Sequence, residues 1–208
     1  MDFSIKTFDA KNAIAQYKSG CIAVGMFDNG KLSTAAKSLD TKGALTAAVK
    51  RGDITGKAGS TLLLHGLAGT AAERILLVGL GAEDAVTDRN FISAVQALAR
   101  VFSTLGNSDA VFALPLDVVR GRDSAWALRT AVLSIRESLY RSDELKSKKD
   151  APKAGVKKLA IATDLTSAAA AKAALGISLA QANGMDLAKT LGNLPPNICT
   201  PTYLASTA

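Results

Sequence analysis

Cys21-Ile-Ala-Val-Gly-Met-Phe27 is an unbroken apolar run, and its reading decides the fold class. A strand buried on both faces has this pattern, whereas a half-exposed strand alternates apolar and polar residues. Asp28-Asn29-Gly30 supplies turn chemistry directly after it. Upstream, Phe3–Phe8 alternates and reads as a half-buried strand. Downstream, residues 31–38 and 41–51 read as helices ending at Gly52. Two further strands, Thr61–His65 and Arg74–Gly79, flank the glycine-rich stretch Gly66–Thr70. Thr87 or Asp88 caps a helix running to about Leu105, with Phe91, Val95, Leu98 and Phe102 on one face. Ala110–Leu114 is a strand ended by Pro115, and Asp123 to about Leu145 a long helix with the stripe Trp126, Leu128, Val132, Ile135 and Leu139. Leu159–Ala162 reads as the last strand and Thr166 to about Leu191 as a long Ala-rich helix. Short apolar runs alternating with longer amphipathic ones predict an α/β domain: a mixed, mostly parallel sheet with helices on both faces.

The composition excludes several classes of chemistry. A chain of 208 residues buries roughly 70% of its unfolded surface, so it folds without a disulfide or metal staple. Cys21 and Cys199 form no disulfide framework and have no metal-ligand spacing. His65 is the single histidine, which leaves little from which to build a zinc site or a catalytic triad. Met1-Asp-Phe-Ser-Ile-Lys6 lacks an apolar signal region, and runs such as Ile75–Gly81 are far too short for a membrane span. A cytoplasmic protein with no metal, no cofactor and no membrane contact of its own is therefore expected.

The C-terminal stretch Gly192-Asn-Leu-Pro-Pro-Asn-Ile-Cys-Thr200 carries tandem prolines, which predict an extended chain. Thr200-Pro201 then forms an N-cap with proline at the first helical position. So well-formed a start with about two turns after it leads us to expect a chain that continues into a further domain. The expected organisation is an N-terminal α/β domain over 1–165, a connecting helix over 166–191, and the start of another domain over 192–208.

Several motifs have both a chemical and a plain reading. Gly79-Leu-Gly81 follows a strand, as a dinucleotide turn does, but Asp84 stands at the third-glycine offset and would repel pyrophosphate. Gly66–Gly69 resembles a phosphate cradle without a following lysine. Both are candidate positions for an ADP-ribose type ligand and, more simply, strand connections. Cys21 reads as an inert small hydrophobe within a strand. The net charge of +7 suits solubility or an acidic partner. Arg122, Arg129 and Arg136 recur every seven residues, which places them on one helix face. They lead into Lys146, Lys148, Lys149, Lys153, Lys157 and Lys158. This set is a candidate DNA-contacting surface or a solvated face.

Three segments carry a family resemblance: Lys50–His65, Glu73–Gly81 and Leu191–Ala205. The last contains the pattern Asn-x-Pro-Pro-Asn-x-x-Thr-Pro-x-x-Leu-Ala, beginning at Asn193. In order and spacing the chain resembles the N-terminal part of the leucyl aminopeptidases, or cytosol aminopeptidases, of the bacterial aminopeptidase A type. The resemblance implies a macro-domain-like N-terminal domain ahead of a catalytic domain. It further implies a homo-hexameric exopeptidase that releases N-terminal amino acids from peptides using two divalent metal ions, Mn²⁺ or Zn²⁺, with DNA binding by the accessory domain in some members. The family's Asn-Thr-Asp-Ala-Glu-Gly-Arg motif does not occur in these residues. No catalytic or metal-binding role therefore transfers to any position, and the 208-residue chain is expected to be inactive alone.

Overall fold

Parallel strands β1 (Asp2–Thr7), β2 (Ile22–Met26), β4 (Arg74–Gly79), β5 (Asp109–Ala113) and β6 (Lys158–Thr163) form most of one sheet. β3 (Thr61–His65) pairs antiparallel with β4 and closes one edge. The computed structural model describes residues 1–9, 13–106, 108–143, 145–146, 155–164 and 166–208. The strand order is β1-β6-β5-β2-β4-β3, the mixed, mostly parallel α/β sheet expected from the sequence.

Each central strand feeds two cores, because successive side chains point to opposite faces. Ala23 of β2, Leu76 and Val78 of β4, and Phe112 of β5 enter one core, with Phe91, Phe102 and Leu128. Ile22, Val24 and Met26, with Ile75, Leu77 and Val111, enter the other, with Leu39 and Leu45. This is why Cys21–Phe27 is apolar throughout: all five residues of β2 are buried. The first face is covered by α3 (Asp88–Phe102), α4 (Ser124–Leu139) and α5 (Ala168–Asn193). A 3₁₀ turn at Ile14–Gln16, α1 (Thr34–Leu39) and α2 (Ala44–Arg51) cover the second.

Helices α1, α3 and α4 start on side-chain caps. The Ser33, Thr87 and Asp123 side chains accept the backbone N–H of Ala36, Asn90 and Trp126, each worth about 1 kcal/mol. Gly52 ends α2 at φ +81°, the left-handed C-cap that a β-carbon would oppose.

Two expectations change. The helix from Asp123 stops at Leu139 rather than near Leu145, because Tyr140 turns extended at ψ 134°. There the Tyr140 hydroxyl lies 3.3 Å from the Thr190 hydroxyl and accepts from Asn193 at 3.2 Å. Residues 192–200 are not extended throughout: α5 runs to Asn193, and Leu194, ahead of Pro195, takes the extended conformation. A turn follows, with the Ile198 and Cys199 N–H groups both donating to the Pro195 carbonyl. Thr200 and Pro201 then start α6 (Pro201–Thr207), the hydroxyl of Thr200 accepting from Tyr203.

The segment expected to connect two domains is partly built into the first. Ala171, Leu175, Ser178 and Ala182 of α5 are buried. The outer face exposes Ile177 by 61% and Leu187 by 49%.

Candidate functional site

The connections after β2 and β5 leave the sheet in opposite directions. β2 leads into α1 on one face and β5 into α4 on the other, and the two strands are parallel neighbours. Diverging connections open a crevice beyond the carboxyl ends of the strands, where α/β sheets place their ligands. A cavity of about 840 Å³ lies there, within the size range of small-molecule sites.

Its walls come from strand ends, helix starts and the 3₁₀ turn at Ile14. The ends of β1, β5 and β6 contribute Phe8, Ala113–Asp117 and Thr163–Asp164, and the starts of α1, α4 and α5 contribute Thr34, Ser124 and Ser167. The inner surface is mainly apolar, with Ala35, Leu114, Leu128 and Ala171. Asp117 and Asp164 are exposed and hold carboxylates at the mouth. Asp164 accepts from the Thr166 hydroxyl and the Ser167 N–H, each at 2.7 Å, and from the Ser167 hydroxyl at 3.3 Å. The Thr166 hydroxyl first, then the Ser167 donors, hold its carboxyl below the usual range. No lysine or arginine stands among the described lining residues.

The glycine-rich segments singled out in the sequence lie outside this crevice, and the Gly79–Gly81 turn is filled by protein. The N–H groups of Gly66, Gly79 and Gly81 donate to the carbonyls of Glu73, Ser60 and Gly56. A β-carbon at Gly79 would sit 2.2 Å from the Lys57 carbonyl oxygen, so protein fills the space a phosphate would need. Gly79 and Gly81 therefore offer no open backbone donors for a phosphate cradle. His65 is exposed at the end of β3, opposite Arg74. Cys21 is fully buried, and that burial pushes its thiol up to about 12, the inert behaviour expected of it.

The basic set is divided by the fold. Arg122 precedes α4 instead of lying on it. Its guanidinium is paired with Asp88 at 2.6 Å and stacked over the Trp126 ring at 5.0 Å. Arg129 is half-buried on α4. Arg136 turns toward α5, donating through Nε to Asp186 at 3.1 Å and through Nη2 to Asn183 at 3.2 Å. Lys146 pairs with Asp143 at 2.6 Å. Lys157 and Lys158 are exposed where β6 begins, at the opposite end of the sheet from Arg122. The length of α4, about 24 Å at 1.5 Å per residue, separates these ends. Lys148, Lys149 and Lys153 lie outside the described residues.

Among the described residues no three His, Cys, Asp or Glu side chains converge to hold a metal ion. No helix among them is long and apolar enough to cross a membrane.

The arrangement is that of an α/β domain with a ligand-sized crevice. Residues 23–149 match the N-terminal domain of the cytosol aminopeptidase family, and the chain belongs to that family. Over 208 residues it is 64% identical to a protein of Herminiimonas arsenicoxydans named "Probable cytosol aminopeptidase", covering all of this chain and 41% of that one. A Ralstonia pickettii protein of the same name is 46% identical and 43% covered. The chain thus spans less than half the length of these relatives. Among solved structures, a tomato leucine aminopeptidase mutant superposes with a TM-score of 0.69 at 23% identity, covering 99% of this chain and 41% of that one. The bottromycin maturation enzyme BotP, in complex with Mn, gives 0.65 at 22% identity over 90% of this chain and 35% of its own. At these identities the superpositions speak for the fold alone.

Proposed function

We propose that the chain is the accessory N-terminal domain of a longer, metal-dependent leucyl aminopeptidase. The whole protein releases N-terminal amino acids from peptides, as a cytoplasmic homo-hexamer whose N-terminal sheet is macro-domain-like. The observation that carries this reading is the match at 64% identity along the full chain to a relative of which it covers only 41%. Two divalent ions, Mn²⁺ or Zn²⁺, would polarise the peptide carbonyl and activate water in the catalytic domain. The described residues of this chain do not fit such a pair, since they bring no carboxylate cluster together. The exposed Ile177 and Leu187 of α5, with Tyr203 and Leu204 of α6, offer the catalytic domain an apolar surface.

Hydrolysis of leucine p-nitroanilide with added Mn²⁺ tests the proposal. The whole protein is expected to be active and to lose activity on chelation, and the 208-residue chain to be inactive. Turnover by the isolated chain would overturn the assignment.

A further inference from the structure

We propose that the free edge of β3 pairs with the same edge of a second copy of this chain, antiparallel about a two-fold axis through Leu63. This surface is separate from the one offered to the catalytic domain, because α5 packs beside β1 at the other edge of the sheet. Five strand spacings, roughly 24 Å, lie between the two edges.

The ladder shows which backbone groups are open. Gly66 N–H donates to the Glu73 carbonyl and Gly79 N–H to the Ser60 carbonyl, one at each end of the β3–β4 pair. Hydrogen-bonded positions alternate in an antiparallel pair. Leu62 and Leu64 therefore face β4, while Thr61, Leu63 and His65 direct their N–H and C=O groups outward. None of these three backbones donates to or accepts from another described segment. Thr61-Leu-Leu-Leu-His65 also lacks the lysine, acidic residue or proline that usually guards an open edge. β1, at the opposite edge, carries Asp2 and Lys6.

A second copy suits this edge because the segment is complementary to itself. Leu63 of one copy faces Leu63 of the other, Thr61 faces His65, and Leu62 faces Leu64. Each outward residue then exchanges both its backbone bonds across the axis. A shifted register carries Thr61 or His65 past the end of the strand. The axis stands perpendicular to the sheet, so each core continues into its own counterpart. Leu63 packs on the core under α3, α4 and α5, and Leu62 and Leu64 on the core under α1 and α2. Every leucine thus meets a leucine on its own face. The net charge of +7 opposes self-association in general, and at this uncharged stretch two copies approach without that repulsion. Five residues make a small interface, so the pairing is weak, with a Kd on the order of 0.1 mM.

Amide hydrogen exchange of the 208-residue chain at about 50 µM and about 1 mM, chosen to bracket that Kd, tests the pairing. The Thr61, Leu63 and His65 N–H groups are expected to exchange several-fold more slowly at the higher concentration. Those of Leu62 and Leu64, already bonded to β4, should change little. Sedimentation equilibrium should show the mass rising toward twice the 21.4 kDa protomer. Thr61→Lys with His65→Lys, both at exposed positions, sets lysine against lysine at each end and should weaken association about tenfold. Thr61→Lys with His65→Glu sets opposite charges there and should restore it, and a dispersed spectrum shows each variant folded. A monomer at about 1 mM, well above that Kd, would overturn the proposal. Protection of the three N–H groups at every concentration would also overturn it, since another part of the chain would then cover the edge. So would equal association by the two β3 variants, or association abolished by Ile177→Lys with Leu187→Lys, which would place the contact on α5.

Discussion

Gly79→Ala sets local propensity against packing, and the two predict opposite signs. Gly79 ends β4 outside the left-handed region, so alanine is conformationally acceptable there. On backbone entropy alone the substitution stabilises by about 0.4–1 kcal/mol. The surroundings reverse this. The added β-carbon would lie 2.2 Å from the Lys57 carbonyl oxygen, 2.3 Å from Ser60 Oγ and 2.7 Å from the Gly56 carbonyl carbon, where ordinary contact begins at 3.4 Å. The 56–60 segment must therefore retreat by more than 1 Å. That segment is tied to the strand end by Gly79 N–H to Ser60, Gly59 N–H to Gly79 and Gly81 N–H to Gly56, at 2.8–3.0 Å. Losing two or three such bonds costs roughly 2–3 kcal/mol, so the net destabilisation is about 2 kcal/mol after the entropic gain. Urea unfolding should show a lower midpoint at unchanged slope, and thermal unfolding a fall of roughly 4–8 °C. A variant within about 0.5 kcal/mol of the parent chain would refute the close packing of this turn.

Other substitutions test separate parts of the structure. Gly176→Ala, inside α5 with nothing within 4 Å of the new carbon, should raise stability by about 0.5–1 kcal/mol in the same urea assay. Arg136→Ala leaves Asp186 without its partner in a half-buried position and should cost about 1–2 kcal/mol; an unchanged midpoint would mean the α4–α5 pair carries no net stability. Native thiol labelling at pH 8 should modify Cys199 and spare Cys21, whose thiol is buried and held near 12; only about one part in ten thousand is then thiolate. Because the unfolded chain releases that proton near 9.0, the folded state binds more protons above this pH. Stability should therefore fall as pH rises from about 9 toward 12, with a slope of at most about 1.4 kcal/mol per unit.

Burial patterns made most of the fold legible from one sequence. Thr61–His65 and Arg74–Gly79 have the bounds expected of them, because apolar runs ended by glycine or a polar turn are local signals. Thr87 and Asp123 announce α3 and α4 through capping chemistry confined to a few residues. The far end of α4 was harder to place. Its stop at Leu139 depends on Tyr140 reaching Thr190 and Asn193, some fifty residues along the chain. The charge stripe is shorter than its spacing suggested for a related reason: a seven-residue spacing defines a face only within a helix, and Arg122 precedes α4.

The crevice was illegible for a deeper reason, which also explains why the glycines misled. Gly79 and Gly81 carry the local sign of a phosphate turn, yet their N–H groups are spent on the 56–60 segment, a pairing that no short motif encodes. Ser33 and Asp123 cap α1 and α4, and Asp164 accepts the Ser167 N–H, each a local task. The crevice beside these helix starts exists because β2 lies between β4 and β5 while its own connection runs over the opposite face. Strand order is decided by long-range pairing, with Ile22 opposite Ile75 on one side and Val111 on the other. A binding site at a switch point is thus a property of topology. Its side chains need only be small at the ends of the strands, as Ala113 and Ala162 are, for the diverging connections to leave room between them.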